Sequence, residues 1–367
     1  MPAVEAAAIF HDWAFMEGLM PEGPLAPLTS TPAQFASIEP LTDMGRQWLR
    51  AKQVQSVGSN ALDSKIIVFL KRAASVSKKQ LNLLPKRIGQ VEITYRQGLQ
   101  VPITGVTSTP FGGPAYVVRM ANGQDVYACG SSVSVGNARD AGTFGALVRD
   151  ANGVLFGLSN NHVTGGCSFA GVGMPILAHG VYDIAPNSLP PFTIGFHAAA
   201  LPMVPGSSDN VDPTVNLDAA TFRIADEAKV TSFQGNAYDT PFLSSSLAAG
   251  MSVEKVGRTT GHTRGTVVAR IHGAFPVAYS AAQHNFNGSV SFTPVFAIAG
   301  TGDLFSDSGD SGSLVTTIDQ NGARRAVGIV IAGTADSGAA GGKLTIVLPI
   351  EPTLQKLGVT LVSNHNI

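Results

Sequence analysis

Residues 305–318 read FSDSGDSGSLVTTI, a glycine-rich turn that runs directly into a candidate β-strand. Gly309 and Gly312 flank the pair Asp310-Ser311, and glycine permits a tight backbone turn that a side chain would obstruct. The residues that follow, SLVTTI, are apolar and β-branched, which is typical of strands. This stretch therefore predicts a serine at a sharp turn, held by a rigid strand.

Short segments of the same kind recur through the chain downstream of residue 100. Turn-forming sequences such as ANGQ, DANG, FNGS, DQNGA and SGAAGG separate them. The strand candidates are AYVVRM, GTFGALVRD, GVLFGLS, LDAATFRI, GTVVARIHG, SFTPVFAI, SGSLVTTI, RAVGIVIAG and LTIVL. Because no amphipathic helix interrupts them before Glu351–Lys356, the pattern predicts an all-β barrel or sandwich. About 265 residues leave room for two barrels, which we place at 101–240 and 241–367.

The first 60 residues form an N-terminal extension with a different pattern. An Ala-rich helix is expected from Val4 to Glu17, followed by a Pro-rich connector from Pro21 to Pro40. A second short helix is expected around Asp43–Gln53, with Thr42 as its N-cap.

Residues 61–100 form a small basic module. KIIVFL (Lys65–Leu70) predicts a strand, SKKQLNLL (Ser77–Leu84) a helix and QVEITYR (Gln90–Arg96) an alternating strand. No acidic residue lies between Ser64 and Val91, where the basic residues are Lys65, Lys71, Arg72, Lys78, Lys79, Lys86 and Arg87. One interpretation is a docking face for an acidic regulatory partner or a phosphate. The other is the solvated side of a small α/β unit.

The composition argues against several classes of function. Lys and Arg total 24 against 25 Asp and Glu, so a bulk electrostatic grip on nucleic acid or on an anionic membrane is not expected. Charged residues make up only 13%, which suits many short strands joined by Gly and Pro turns. No apolar run is long enough to span a membrane. The N-terminus has no basic residue before an apolar core, so we expect no secretory signal.

Cysteine and histidine are too few or too scattered for a metal centre. Cys129 and Cys167 cannot form a disulfide framework, and we expect two buried free thiols, although the two could pair. There is no HExxH or HxxxH pair, no P-loop and no GxGxxG following a strand, so neither a metal nor a cofactor is expected. The cytoplasm is the expected location.

Two further segments carry residues that match Ser311 chemically. His162 follows the strand candidate GVLFGLS in LSNNHV, and Asp218 lies in NLDAATFRI. A serine hydroxyl needs an adjacent imidazole to accept its proton during attack. The imidazole needs a carboxylate that fixes its tautomer and stabilises its charged form. We therefore predict a triad in the cleft between the barrels, with His162 and Asp218 from the first and Ser311 from the second.

The glycine turn also predicts an oxyanion hole. It can aim the backbone N–H groups of Gly309 and Ser311 at one point, where each donor is worth about 3–4 kcal/mol to a developing oxyanion. Taken singly, a histidine at a strand end, an aspartate at a strand start and a GDSG turn are ordinary structural residues. In this order they indicate nucleophilic catalysis.

These segments resemble the chymotrypsin/trypsin-like serine peptidases, particularly their intracellular bacterial and narrow-leaf-type plant branches. LSNNHV, LDAA and GDSGSLV occur in the family's order. VEKVGRTTGHTRGTV (Val253–Val267) resembles the opening of the second barrel, and AVGIVIAG (Ala326–Gly333) resembles the strand that lines the specificity pocket. The resemblance covers residues 125–362 and implies two antiparallel six-stranded β-barrels.

The chain also departs from the family pattern. Vertebrate members pair the aspartate before the serine with a freed N-terminus, and no such activation site is visible here, so Asp310 has another partner or none. Where a serine often supports the catalytic carboxylate, this chain has Ile331. Asp212 and Asp183 therefore stay as alternatives to Asp218.

By the same resemblance, Phe305 is the floor of the specificity pocket and Gly333 leaves its wall open. Phe305 argues against cleavage after Lys or Arg and favours a small or apolar side chain before the scissile bond. Asp307 could change this apolar preference, because a loop shift would bring its carboxylate into the pocket.

The function implied is a serine endopeptidase that works through an acyl-enzyme. His162 is the general base, Asp218 the orienting acid and Ser311 the nucleophile, and the substrate is a protein or peptide. Two alternatives stay open. One is a catalytically quiet scaffold that binds peptides, and the other is an enzyme held latent by its N-terminal extension.

Overall fold

The structure is a computed structural model of the 367-residue chain. It describes every residue except 21–27, 61, 73–76, 98, 101–108, 121, 187–188, 207–209 and 337. Part of the predicted Pro-rich connector, residues 21–27, therefore lies outside the described residues. Within the described part of the chain, no helix is both long and apolar enough to cross a membrane.

Short strands dominate the chain. The α-helices of the described residues are α1 (Ala3–Met16), α2 (Pro32–Phe35), α3 (Asp43–Lys52), α4 (Lys78–Leu81), α5 (Asn161–Thr164) and α6 (Ile350–Leu357). The strands up to the middle of the chain are β1 (Val54–Asn60), β2 (Lys65–Leu70), β3 (Arg87–Ile88), β4 (Val91–Gln97), β5 (Leu99–Gln100), β6 (Val117–Arg119), β7 (Asp125–Cys129), β8 (Ser132–Val135), β9 (Gly142–Thr143), β10 (Ala146–Asp150), β11 (Leu155–Ser159), β12 (Pro175–Ala178) and β13 (Phe192–Ala200). The later strands are β14 (Ala220–Ile224), β15 (Val230–Gln234), β16 (Tyr238–Asp239), β17 (Ser252–Gly257), β18 (Gly261–His272), β19 (Phe275–Ala281), β20 (Phe286–Phe292), β21 (Val295–Gly300), β22 (Leu314–Ile318), β23 (Arg324–Ala335), β24 (Lys343–Pro349) and β25 (Val359–Leu361).

The second barrel is a closed ring of six antiparallel strands. Its order is β17-β22-β23-β24-β21-β18, and β18 pairs again with β17 to close the ring. Because side chains alternate between the two faces of a strand, each strand can turn one apolar row inward. That interior includes Val253, Phe296, Val315 and Val347, all buried. The predicted mainly β fold is confirmed.

The first barrel is more open than expected. An eight-stranded sheet runs in the order β25-β10-β11-β14-β13-β12-β8-β9, and a four-stranded sheet runs in the order β16-β15-β7-β6. Tyr127 of β7 and Val230 of β15 share a buried apolar cluster with Phe144, Ile194 and Phe222, so the two sheets enclose one core. The pairing of β7 with β15 is parallel, which departs from the antiparallel arrangement expected.

The C-terminal strand crosses back to the first barrel. β25 pairs with β10, with Leu361 opposite Val148. The range predicted for the second barrel, 241–367, therefore includes a strand that belongs to the first-barrel sheet. An alternating apolar pattern predicts that a segment is a strand, but it does not indicate which distant strand it pairs with.

The strands of the N-terminal extension continue the sheet of the second barrel. β1 pairs with β18, with Val57 opposite His272, and β2, β4 and β3 continue the same sheet outward. The strands of the predicted basic module are thus an extension of the barrel sheet. β1 was not predicted, because VQSVGSN is rich in small polar residues that do not resemble a buried strand.

The predicted helices of the extension lie close to their expected ranges. α1 covers Ala3–Met16, and its residues Ala6, Phe10 and Trp13 pack into a buried cluster with β1 and β2. α3 follows Thr42, whose Oγ1 accepts the N–H of Gly45 (3.1 Å), as expected for the N-cap.

Most of the basic side chains of the module face solvent. The exposed ones are Lys71, Arg72, Lys78, Lys79, Lys86 and Arg87, whereas Lys65 forms an ion pair with Asp63 (2.7 Å). Exposure fits the solvated side of a small unit as well as a docking face. The regulatory partner at Lys65–Arg87 stays a prediction.

Candidate active site

His162 lies on α5, a single helical turn that begins directly after β11. The buried side chain of Asn160 donates through Nδ2 to the carbonyl of Asp218 (2.6 Å). The next residue, Asn161, donates through Nδ2 to the carbonyl of Leu201 (2.9 Å). These buried amide contacts tie the loop that carries His162 to the chain around Asp218.

The Asp218 carboxylate is fully buried and faces His162. Its Oδ1 accepts the backbone N–H of His162 (3.0 Å), and its Oδ2 contacts Nδ1 (2.5 Å). Because a carboxylate only accepts hydrogen bonds, Nδ1 carries the proton and Nε2 is the basic nitrogen of the neutral ring. Burial lowers the pKa of His162, but the charge and hydrogen bond of Asp218, aided by the charge of Asp140, outweigh it and raise this pKa above its usual value.

Ser311 lies at the predicted turn, shortly before β22. The N–H of Thr143 donates to the carbonyl of Ser311 (2.8 Å), which ties the turn to the first barrel. Gly312 lies so close to Ser159, at the end of β11, that a Cβ would collide with the Ser159 hydroxyl. Among the described residues, no hydrogen bond joins Ser311 Oγ to His162. The structure thus pairs His162 with Asp218 and leaves Ser311 half-buried next to the strand that leads to His162.

The turn that is predicted to form an oxyanion hole is built around Gly309. Gly309 has a φ of +97°, and a Cβ there would collide with Thr259 Oγ1, so only glycine fits without strain. Within the described part of the chain, neither the N–H of Gly309 nor that of Ser311 has a hydrogen-bond acceptor. Two unpaired donors beside a serine hydroxyl can bind the oxygen of a substrate carbonyl.

Asp310 anchors this turn from inside the second barrel. Its carboxylate accepts the backbone N–H groups of Thr259 (2.8 Å), Thr260 (3.2 Å) and Asp307 (2.9 Å) and the Thr260 hydroxyl (2.6 Å). Lys255 of β17 supplies the balancing charge, with Nζ 3.2 Å from Asp310 Oδ2 and both side chains fully buried. The partner that the sequence left open for Asp310 is therefore an internal lysine.

The two alternatives to Asp218 lie elsewhere. Asp183 Oδ2 accepts from Arg258 Nε (2.9 Å) and from the Ser132 hydroxyl (2.5 Å), so this carboxylate balances a buried guanidinium. Asp212 lies in an exposed loop and accepts the N–H of Thr214 (2.9 Å). Of the three carboxylates, Asp218 is the one that contacts His162.

The residues assigned to the specificity pocket differ in burial and in the groups that they contact. Phe305 is 1% exposed and packs into the apolar cluster of the second barrel. A Cβ at Gly333 would meet only the carbonyl oxygen of Leu344, at an ordinary 3.6 Å. Asp307 forms an ion pair with Lys343 (2.5 Å). The assignment of Phe305 and Gly333 to the pocket stays a prediction.

Tyr279 and Lys255 were missed by sequence reasoning. Ile331, where a supporting serine was sought, is buried in the apolar core, and the hydroxyl of Tyr279 donates to Asp218 instead (3.0 Å). Lys255 had one signal, a lysine inside the strand candidate VEKVG. Tyr279 had none, because a tyrosine in an alternating strand is ordinary.

Both cysteines are buried and free. Burial raises the pKa of the Cys167 thiol to about 12, so this group is protonated at neutral pH. Burial likewise raises the pKa of Cys129. Neither has the lowered pKa of a nucleophilic cysteine.

Comparison with known proteins adds relatives in sequence and in structure. Residues 239–352 match the family model described as the Nal1 C-terminal domain. The protein NARROW LEAF 1 of Oryza sativa subsp. japonica is 26% identical over 302 residues, which are 74% of this chain and 48% of that protein, so the chain spans about half the length of this curated relative.

Solved structures of bacterial proteases align with about two thirds of the chain. Thermobifida fusca protease A has 23% identity and a TM-score of 0.42, over 65% of this chain and all of the protease. Cellulomonas bogoriensis chymotrypsin has 19% identity and a TM-score of 0.40, over 65% of this chain and 98% of its own. Residues 239–352 are thus similar in sequence to the Nal1 C-terminal domain.

Proposed function

We propose that the chain is a serine endopeptidase that cleaves peptide bonds through an acyl-enzyme on Ser311. The observation that carries the proposal is the buried pair of His162 and Asp218. His162 lies on the loop after β11, and the Ser311 turn packs against the end of that strand. That turn also presents the unpaired N–H groups of Gly309 and Ser311.

The reaction follows from the roles of these groups. His162 Nε2 takes the proton of Ser311 Oγ as the oxygen bonds to the substrate carbonyl carbon. The N–H groups of Gly309 and Ser311 hold the resulting oxyanion. The imidazolium then gives its proton to the leaving amine as the C–N bond breaks. Water, deprotonated by the same nitrogen, releases the acyl group and restores Ser311.

A catalytically quiet peptide-binding scaffold is the second candidate. The observation in its favour is that, among the described residues, Ser311 Oγ makes no hydrogen bond to His162. In structures without substrate such catalytic contacts are often long and tighten only in the complex. An activity measurement therefore separates the two candidates.

Labelling with a fluorophosphonate probe tests the proposal directly. We expect the wild-type chain to be labelled stoichiometrically and to hydrolyse a casein substrate, because the probe needs an activated serine. Ser311→Ala should lose both properties with an unchanged melting temperature, and Ser289→Ala, which changes an exposed serine of β20, should keep the label. Labelling that survives Ser311→Ala would refute the nucleophile. A wild-type chain that is neither labelled nor active on casein would favour the scaffold.

We further propose that the N-terminal extension restrains this activity at the edge of β23. The N–H of Gly312, next to the proposed nucleophile, donates to the carbonyl of Val330 (3.0 Å) in β23. The residues of β23 that follow Val330 therefore begin beside Ser311. An extended peptide can bind such an edge as an added strand. β5 of the chain itself pairs antiparallel with β23 there, with Gln100 opposite Thr334 and Leu99 opposite Ala335.

A partly buried ion pair links the extension to the same region. Arg96, at the end of β4, lies 3.4 Å through Nε from Asp336 Oδ2 and donates through Nη2 to the carbonyl of Gly338 (3.2 Å). The Asp336 side chain is 1% exposed. These contacts fasten the extension to the residues that follow β23, next to the β5 pairing.

Asp336→Asn is expected to raise kcat/KM for a peptide substrate by about fivefold. It removes the charge that holds Arg96, and apparent affinity rises with the fraction of molecules in the competent state. Asparagine keeps the acceptor for the N–H of Gly338, which Asp336 Oδ1 now binds (2.7 Å), so the loop after β23 is retained. Arg96→Met releases the same contact from the other side and should act alike.

The matched control is Asp125→Asn, which breaks the exposed pair of Asp125 with Arg119 (3.2 Å) and should leave activity unchanged. If neither Asp336→Asn nor Arg96→Met raises kcat/KM while both proteins stay folded, the restraint is not at this edge.

A further inference from the structure

A tyrosine from the second half of the chain completes the surroundings of Asp218. Tyr279 lies on β19, is 1% exposed, and donates its hydroxyl to Asp218 Oδ2 at 3.0 Å. The same oxygen contacts His162 Nδ1 at 2.5 Å. The tyrosine ring also packs on the imidazole, with 5.3 Å between ring centroids and 48° between the planes. One side chain therefore touches both members of the pair.

The hydroxyl is well suited to be a permanent donor. Burial and the neighbouring charge of Asp218 raise the pKa of Tyr279 well above its usual value, so the hydroxyl keeps its proton throughout the working pH range. A buried carboxylate is stable only when its oxygens are hydrogen-bonded. The Asp218 carboxylate accepts two hydrogen bonds from His162. Among the described residues, the Tyr279 hydroxyl is the other side-chain group that donates to it.

The hairpin β19–β20 holds Tyr279 against the first barrel. Asn216, two residues before Asp218, donates through Nδ2 to the carbonyl of Ser291 on β20 (3.0 Å). On the other side of His162, the ring of Phe169 stacks on His284, with centroids 5.0 Å apart. The hairpin is thus bound to the loops on both sides of the pair, so the position of the tyrosine hydroxyl is fixed relative to the carboxylate.

We propose that Tyr279 is a positioning residue, which fixes the Asp218 carboxylate and, through it, the orientation and basicity of His162. The proposal deepens the proposed peptidase function and rests on it for its kinetic consequence. The ionisable groups that face His162 are Asp218, Asp140 and Tyr279, and the Cys167 thiol lies next to Asp218.

Tyr279→Phe should lower kcat by about tenfold with little change in KM, because one hydrogen bond that orders the carboxylate is lost while substrate contacts are kept. A donor to Asp218 withdraws charge from the carboxylate. Without it, Asp218 stabilises the imidazolium more strongly and the pKa of His162 rises. The acid limb of the kcat/KM profile should therefore move to higher pH, a shift that a merely structural role would not produce.

Tyr127→Phe is the matched control. Tyr127 is also a buried tyrosine and donates its hydroxyl to the backbone carbonyl of Ser132 (2.6 Å) in the first barrel, so its loss should leave kcat and the pH profile unchanged. A second comparison makes Tyr279→Phe in an Asp218→Asn background. If the tyrosine acts through the carboxylate, it should have almost no further effect there.

An NMR titration of the His162 ring keeps this inference separable from the proposed function. The signal is assigned with His162→Gln, and the pKa is measured in the wild-type chain and in Tyr279→Phe without any substrate. A rise in the variant supports the positioning role even if the chain proves to be a quiet scaffold. An unchanged pKa, or an unchanged kcat and pH profile in an active chain, overturns it.

Discussion

Asp218→Asn should lower kcat by about 10⁴-fold while leaving the fold intact. The asparagine amide has one oxygen and one NH₂ group, whereas both oxygens of Asp218 now accept from His162. When the NH₂ group faces Nδ1, that nitrogen must accept, and the ring proton moves to Nε2. His162 then has no free electron pair to take the proton of Ser311. Steady-state kinetics on a peptide substrate measure the loss.

The control for this substitution is Asp212→Asn. Asp212 belongs to the same region of the chain but lies in an exposed loop, so its loss should change kcat by less than twofold. The pH dependence gives a second check. Removing the charge of Asp218 should lower the pKa of His162, which that charge now raises. If Asp218→Asn keeps more than a tenth of wild-type kcat, another group orients His162 and the triad is wrong.

The sequence was enough to propose the reacting groups because their chemistry restricts residue type and local context. A GDSG turn before an apolar strand, and a histidine just past another strand, are local patterns, and His162, Asp218 and Ser311 could be proposed from them. Gly309 could be proposed for the same reason, since its positive φ depends on the turn itself.

The supporting groups could not be predicted in the same way. Tyr279 meets Asp218 across 61 residues of chain, and Lys255 of β17 meets Asp310 in the turn before the neighbouring strand β22. Either contact depends on register and closure of strands, which an alternating pattern does not specify. The same limit explains β1 and β25, whose partners β18 and β10 are far away in sequence.

Two of the ion pairs of the chain lie in its interior, close to the Ser311 turn. The chain is poor in charged residues, yet two ion pairs, Lys255–Asp310 and Arg258–Asp183, are almost completely buried around the Ser311 turn. Burying a charge is costly unless it is paired and hydrogen-bonded. We therefore infer that the geometry of the Ser311 turn depends on these buried charges. Substitution of Lys255 tests this inference more sharply than substitution of Arg258.

Lys255→Met should lower kcat by about 10²–10³-fold and destabilise the chain by about 3–5 kcal/mol. Methionine fills a similar volume, but it leaves the buried Asp310 carboxylate without a balancing charge. Lys255 Nζ also donates to the carbonyl of Gly261 (3.1 Å), and this contact is lost as well. The turn that aims the N–H groups of Gly309 and Ser311 should then shift, which removes stabilisation of the oxyanion. Fluorophosphonate labelling rates and thermal unfolding measure the two effects.

Two further variants decide between a specific pair and general damage. Lys65→Met breaks the partly exposed pair with Asp63 and should change stability by less than about 0.5 kcal/mol. The double variant Lys255→Met/Asp310→Asn removes both charges and should recover much of the lost stability, since the cost of a broken buried pair lies mainly in the charge left behind. Activity should recover less, because the carboxylate also accepts the N–H groups that shape the turn. If Lys255→Met alone keeps wild-type labelling and stability, the lysine does not hold the oxyanion turn.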